Sequence, residues 1–523
     1  MPDVFRAQLR HASYYLATLE AFGARYQERG QLNLLLLEEI EREWPQITNG
    51  QAWAATAASS HPADVTILRL CSDYSLGAAT LLSLRQTAED RLRWLHTSLD
   101  AARLLRDRHA EAAHLGNIGI AYEDLGLFQT SCQHLLDAIE ISRELKDTSA
   151  EGVQLGQLGL AYIGIGDYER AIECLREALA LSRASEDESH VGMHLGNLGL
   201  AYGYTGQYDL ALETHRQAIA ISRALGDRRA EVVDLVNLGV VYYGWSSYEE
   251  AESYFRDAIE LGREIGYRHG EALGLGNLGA ICTERGAYAE ARELLERALD
   301  INVQLGDSAS EGVNLSNLGL VEEELGNYGA ALDYIEQALE LARASGDRRG
   351  EGRRLSSIGS IRWHAERDEL ALKYIGDALL IAREIHDQEG QSEQLNKLGA
   401  IYVALGRDDE ALEHLLQGLA ISRPLGHRLG EADCLTNLGL LRQNQGRYTE
   451  AIADHRQALA IAREVGDKRT EADQLNYLGD AHEASGEKAL ARECFEQARA
   501  TFDALGISHE TEEVAKKLKS LLS

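Results

Sequence analysis

The chain reads as an all-α solenoid, a stack of helix pairs rather than one globular core. Three observations lead there. A unit of 40 residues recurs without insertion or deletion over about four hundred residues, opening on Glu111, Glu151, Glu231, Glu271, Glu311, Glu351, Glu431 and Glu471, with Val191 and Gln391 as departures. A leucine stands four residues into every unit, from Leu115 to Leu475, and a glycine four further on, from Gly119 to Gly479. Within each unit the apolar residues fall at helical spacing, in two stripes parted by a break.

In the unit from Glu151 to His190, the first stripe is Leu155, Leu158, Ala161 and Tyr162. Gly166 interrupts it, Tyr168 follows, and Ala171, Ile172, Leu175, Ala178, Leu179 and Leu181 make the second. The unit is therefore helix A, a short turn, a longer helix B and a second short turn, each helix about 16–18 residues or about 25 Å long. At that second turn stand Gly226-Asp227, Gly306-Asp307, Gly346-Asp347 and Gly466-Asp467. The glycine can end helix B in a left-handed residue, and the aspartate can cap the next helix A. Arg143, Arg183, Arg223, Arg343, Arg383 and Arg463 precede the turn residue equivalent to that aspartate by four. They are expected to pair with it across the helix end, a structural row worth a few tenths of a kcal/mol per pair. Alanines from Ala171 to Ala491 on helix B, and the Gly159 row on helix A, keep the two helices close. That contact has to offset the roughly 1 kcal/mol by which glycine is worse than alanine inside a helix.

The string Leu155, Leu158-Gly159, Tyr162, Ala171 resembles the signature of the tetratricopeptide repeat family. Leucine replaces the usual first tryptophan, and Arg183 stands where the closing proline would be. Over residues 111–507 the 40-residue form, with its LGNLGxAY and AxxISRExGDRxxE strings, is similar to the repeats of the LGN/Pins scaffolds and of kinesin light chain. The resemblance implies a right-handed superhelix whose helices A line a concave, partner-binding face. Residues 67–110 are expected to be a degenerate first repeat, with helix A around Ile67 to Gln86 and Leu95, Leu99, Arg103 and Asp107 keeping the helix B register. Residues 508–523 are expected to be a capping helix opened by Ser508, with Val514, Leu518 and Leu521 on the last repeat and Lys516, Lys517 and Lys519 in water.

Residues 1–66 read as a helical arm. His11, Tyr14, Tyr15, Leu16, Glu39, Glu41, Trp53 and Ala54 resemble the arm that joins core to repeat sensor in NB-ARC/STAND signalling ATPases. No Gly-Lys-Ser/Thr phosphate loop occurs, so the resemblance implies a sensor without its motor.

The net charge is −32. Residues 1–110 hold 13 acids against 12 bases, leaving 71 against 40 in the rest. Nucleic-acid binding needs the opposite balance. No apolar run approaches 18 residues and no secretory signal opens the chain, so neither a membrane nor export is expected. Six cysteines without a Cys-x-x-Cys fit a reduced cytoplasm, with Cys174, Cys282 and Cys434 as small buried residues. Gly274-Leu-Gly276-Asn-Leu-Gly279 matches a dinucleotide pattern but lies inside a helix A with no strand before it. His190 and His194 lack a third ligand and read as two partly exposed histidines. Carboxylate pairs such as Glu323-Glu324 have no nucleophile or base beside them. No cofactor, no metal and no enzymatic activity is expected.

The sharper signal is a row of asparagines two residues before the helix A glycine: Asn117, Asn197, Asn237, Asn277, Asn317 and Asn437. Asparagine is not favoured inside a helix. In kinesin light chain and sugar-transferase solenoids, asparagines at the corresponding position hold a peptide backbone, so the resemblance implies a peptide-binding ladder here. An amide carries both donor and acceptor and can satisfy any peptide group. Val153, Leu160, Leu200, Val233 and Val240 make the first half of the expected groove apolar, and Glu323, Glu324, Glu393, Asp433 and Asp473 make the second half acidic. Between them Ser357, Trp363-His364 and Glu366-Arg367-Asp368 break the pattern, and Trp363 beside Arg353 is expected to be exposed as a specificity point. The expected function is a scaffold or sensor that binds an extended protein segment, apolar at one end and Lys/Arg-bearing at the other. The alternative is a regulatory arm acting with a STAND-type ATPase or effector on another chain. The oligomeric state is left open.

Overall fold

The computed structural model describes residues 2–29, 34–77, 81–82, 85–365 and 368–522. Helices account for nearly all of them, and no strand occurs among the described residues. The chain divides into two compact units, residues 1–161 with 177–187, and residues 162–176 with 188–523.

The first unit opens with α1 (Pro2–Arg29) and α2 (Leu34–Ser60), the latter continuous through Pro45. They share one core with α3 (Val65–Leu76), built on Leu19, Ile40, Ile47, Ile67 and Tyr74. Asp64 caps α3 by accepting from the Thr66 and Ile67 amides. α4 (Ala88–Leu105) follows, and residues 78–80 and 83–84, within the expected degenerate helix A, lie outside the described residues. From there helix pairs run in register, from α5 (Arg108–Asp124) with α6 (Phe128–Leu145) to α23 (Lys468–Ala484) with α24 (Lys488–Ala504), closed by α25 (Ser508–Leu522). Helices of the pairs are 17 or 18 residues long. The fold is an all-α solenoid.

The turns follow local chemistry. Gly226 ends its helix at φ 70° and Asp227 accepts from the Arg229 and Ala230 amides. Asp307, Asp347 and Asp467 cap the same way. Lys146 and His386 adopt the left-handed conformation at this turn without being glycine, a conformation that side-chain-bearing residues adopt less readily.

Helix B is not held by the arginine–aspartate pair expected from sequence. At Arg143, Arg223, Arg343 and Arg463 the arginine reaches past the aspartate to the glutamate that opens the next unit. The same clasp forms where Tyr267 stands in place of the aspartate: Arg263 Nε lies 2.6 Å from Glu271 Oε1, and Arg268 Nη1 lies 2.7 Å from Oε2 of the same carboxylate. Arg103 and Arg108 embrace Glu111 identically, as do Arg423 and Arg428 with Glu431. Geometry decides this: the aspartate carboxylate is already turned toward the helix amides, while the glutamate side chain, one turn into helix A, points back to the helix B end. This is why glutamate marks the repeat.

The helix A glycine has its reason in the same pair. A Cβ on Gly239 would stand 2.5 Å from the Phe255 ring, and one on Gly279 would stand 2.7 Å from Leu295 Cγ. The glycine row therefore houses a buried side chain of its own helix B. At two positions that side chain is a histidine, His215 under Gly199 and His455 under Gly439. At the end, Val514 is buried and Leu518 and Leu521 pack on Phe495 and Phe502. Lys517, expected in water, instead reaches Asp480 at 2.8 Å and stands over the Phe495 ring. The side chain of Ser508 lies outside the described residues.

Candidate functional site

The third, seventh and tenth positions of each unit lie on one face of helix A, as a stripe that is at least partly exposed throughout, since these offsets return to the same side. The seventh is the asparagine row. Asn117 in the first unit, and Asn197, Asn237, Asn277, Asn317 and Asn437 in the second, are all half-exposed. Asn277 Nδ2 donates to the Leu273 carbonyl at 2.9 Å, and Asn437 Nδ2 donates to Asn396 Oδ1 at 2.9 Å. Asn117, Asn197, Asn237 and Asn317 make no side-chain hydrogen bond among the described residues. An amide in a helix interior without a local partner gains nothing for the fold, so these four are available to something outside the chain.

The stripe changes character along the second unit. Leu200 is half-exposed, Val240 is 36% exposed, Val313 52% and Leu320 41%. Leu160, at the tenth position in the first unit, is likewise half-exposed. At the third position Arg353, Glu393 and Asp433 are exposed and Asp473 half-exposed. Trp363 is not free-standing. It is half-buried against the core of Ile375, Leu379 and Leu395 and lies beside His364, with ring centroids 5.2 Å apart. The indole is too large to stay in water when an apolar wall lies beside it. Residues 366–367 of the same irregular turn lie outside the described residues.

The acids are partly answered by cations that sequence reasoning missed. Lys397, at the asparagine position of its own repeat, lies 2.7 Å from Glu393 and donates to Ser356 Oγ at 2.9 Å. Burial raises the Glu393 carboxyl, but Lys397 outweighs it and the pKa is lowered. His364 Nδ1 lies 2.7 Å from Glu323 Oε1, and that hydrogen bond raises the imidazole. Asp433 makes no ion pair among the described residues, and the pull of the nearby Lys397 does not offset its burial. Although open to solvent, it is ringed by protein, and that desolvation, with Asp467 and Glu393 nearby, pushes its carboxyl up to about 6. Asp473 is also raised to about 6 by desolvation, against the pull of Arg469.

Nothing in this stripe assembles a nucleophile with a base. Among the described residues no group of three His, Cys, Asp or Glu could hold a metal ion, and no helix is long and apolar enough to cross a membrane. His190 is half-buried, in keeping with the partial exposure expected, but His194 is fully buried. Cys282 and Cys434 are buried and Cys174 half-buried.

A second set of contacts has no counterpart in the repeat pattern. Tyr168 Oη donates to Glu389 Oε2 at 3.1 Å, and Ser246 Oγ donates to Asp467 Oδ1 at 3.2 Å, each across 221 residues. Arg349 Nη1 donates to the Gly164 carbonyl at 2.9 Å, and Arg469 Nη1 donates to Glu284 Oε2 at 3.2 Å, each across 185 residues. All of these lie within the second unit. A stack in which each repeat touched only its neighbours would have no such contacts: here the turn after a helix A also meets the start of helices A about five repeats on. The one advance sign is the Trp245-Ser246 pair, which stands where the neighbouring units carry Thr205-Gly206 and Arg285-Gly286.

A family model described as Tetratricopeptide repeat matches residues 270–344, 354–423 and 431–504, and one described as MalT-like TPR region matches residues 112–306. No curated protein sequence matches. Among solved structures, BtubC (BKLC) from P. vanneervenii is 19% identical over 43% of this chain and 92% of that one, with a TM-score of 0.34. A STAND protein with a tetratricopeptide repeat sensor from Pyrococcus horikoshii is 14% identical over 67% of this chain and 52% of that one, at 0.42. Aspartyl phosphate phosphatase F from Bacillus subtilis is 16% identical over 69% and 95%, at 0.44.

Proposed function

Because the chain belongs to the tetratricopeptide repeat family, we propose that it acts by holding an extended segment of a partner protein along the helix A stripe. The observation that carries this reading is the set of helix-interior asparagine amides that the fold itself leaves unused. Asn197, Asn237 and Asn317 supply donor and acceptor pairs to the segment's backbone. Leu200, Val240 and Leu320 contact its apolar residues, and Asp433 and Asp473 face Lys or Arg at its other end. Arg353 and Trp363 lie between the two halves and set the spacing the segment must match. In the first unit, Asn117 and Leu160 present the same chemistry.

The test begins with a pull-down from native extract and identification of the partner by mass spectrometry. Calorimetry of that partner then compares the parent with the Asn197→Ala, Asn237→Ala, Asn317→Ala triple variant. Each lost hydrogen bond is worth about 0.5–1.5 kcal/mol, so affinity should fall at least about tenfold with unchanged helicity. A folded triple variant that binds like the parent would remove the ladder from the binding site. Affinity should also fall as pH drops through about 6, where Asp433 and Asp473 take up protons. Asp433→Lys with Asp473→Lys should slow association and flatten its salt dependence.

A further inference from the structure

The long-range contacts form a seam. On one side are the turns that follow helices A, at Gly164–Tyr168, Trp245–Ser246 and Glu284; on the other are Arg349, Glu389 and Asp467–Arg469. The seam is packed as well as polar. Gly466, at φ 77°, leaves the space that the Trp245 indole fills, with Nε1 2.5 Å from where a Cβ would stand. Contacts across 221 and 185 residues correspond to a winding of about five repeats per turn, with successive turns in direct touch.

That winding limits what the inner face can accept. Helices packed about 10 Å apart, five to six to a turn, make a ring about 55 Å around, and so about 9 Å in radius. A helix with its side chains occupies about 5 Å of that radius. The bore left is on the order of 5–10 Å across, which admits one extended chain and excludes a helix of about 10–12 Å diameter. The desolvated yet solvent-reachable Asp433 fits such a confined interior.

We propose that the seam closes the second unit into a channel one extended chain wide, so that its partner is an unstructured segment that enters as a thread, and that releasing the seam widens the channel. The proposal rests on the extended-segment reading for its occupant, but the seam and the confinement can be measured without any ligand.

The measurement uses Leu320→Cys as an inner gauge and Leu380→Cys, 61% exposed on a helix B, as an outer one, each read against the parent's own cysteines. N-ethylmaleimide should label both gauges. Maleimide carried on a small folded protein should label the outer gauge at the ordinary rate and the inner one at least about tenfold more slowly. In the Arg349→Glu, Arg469→Glu background the inner gauge should become open to the folded carrier, and small-angle scattering should show a larger radius of gyration. Equal labelling of both gauges by the folded carrier in the otherwise unchanged chain overturns the proposal, and that arm needs no seam variant to fold. Unchanged scattering and unchanged inner labelling in a folded seam variant would also overturn the gating role. Failure of the asparagine variant to weaken binding would instead strike the ladder and leave the channel standing.

Discussion

At the scale of the residue, one carboxylate does two jobs in seven of the ten units: it marks the repeat and it ties helix ends together. Glu271 is bound by two guanidinium groups while its own side chain is 6% exposed. Glu271→Gln keeps the shape and removes the charge. Both arginines are half-exposed and screened by water, so the expected loss is roughly 1–2 kcal/mol, read as a lower midpoint in urea. Burial works to raise Glu111, Glu351 and Glu471, but their paired cations outweigh it and hold all three below the ordinary value of 4.5. A depressed carboxylate contributes stability that is whole above its unfolded value and is lost as pH falls through the folded one. These glutamates therefore weaken the solenoid below about pH 4.5. Asp433 carries the opposite sign, because its folded value is raised to about 6. Its ionisation costs stability above about pH 6, and the cost is relieved as pH falls toward its ordinary value of 3.8. Asp433→Asn should thus be more stable than the parent at about pH 7.5 and equal to it at about pH 3.5. A variant less stable at the higher pH would show that desolvation does not dominate there.

At the scale of the element, each helix pair is set by one close approach. Gly279→Ala would drive a methyl into Leu295. Overpacking of this kind costs typically about 1–3 kcal/mol, well above the small gain in helix propensity from alanine. Adding Leu295→Val should recover part of the loss in thermal unfolding, and no recovery would place the strain elsewhere. The last pair depends on α25 in the same way. Deleting residues 508–523 uncovers Phe495 and Phe502, and a stack without its cap loses protection from the end inward. Hydrogen exchange should rise first in α23 and α24, accompanied by self-association at higher concentration.

At the scale of the whole molecule, a one-dimensional stack is the starting description for each unit, and the seam modifies it in the second. Leu278→Ala removes a buried side chain and should cost roughly 2–5 kcal/mol. In a simple stack, exchange would rise only in the repeats beside it. With Ser246 and Glu284 joined to Asp467 and Arg469, a second rise is expected around residues 465–470. Exchange confined to residues 231–350 would mean that the seam carries no coupling.

The helix pairs, their turns, their caps and the asparagine row were legible in the sequence because each depends on residues within one period, where spacing alone places side chains on a face. The glycine row was legible as close packing, although which partner it housed was not, since that needs the rotation of helix B about its axis. For Arg143, Arg223, Arg343 and Arg463 spacing points to the wrong acid for a related reason: aspartate and glutamate lie within four residues of each other, and only the direction of each side chain separates them. Trp363 was expected in water because a pattern break shows that a residue is unusual, not which wall it meets. The seam was beyond reach altogether. Its register across 185 and 221 residues follows from a small rotation added at every repeat, and an error of a few degrees per repeat, summed over five, would move Arg349 away from Gly164. Sequence determined the unit and the chemistry of its faces; the accumulated twist, which belongs to no single repeat, decided which distant turns meet and how narrow a space they enclose.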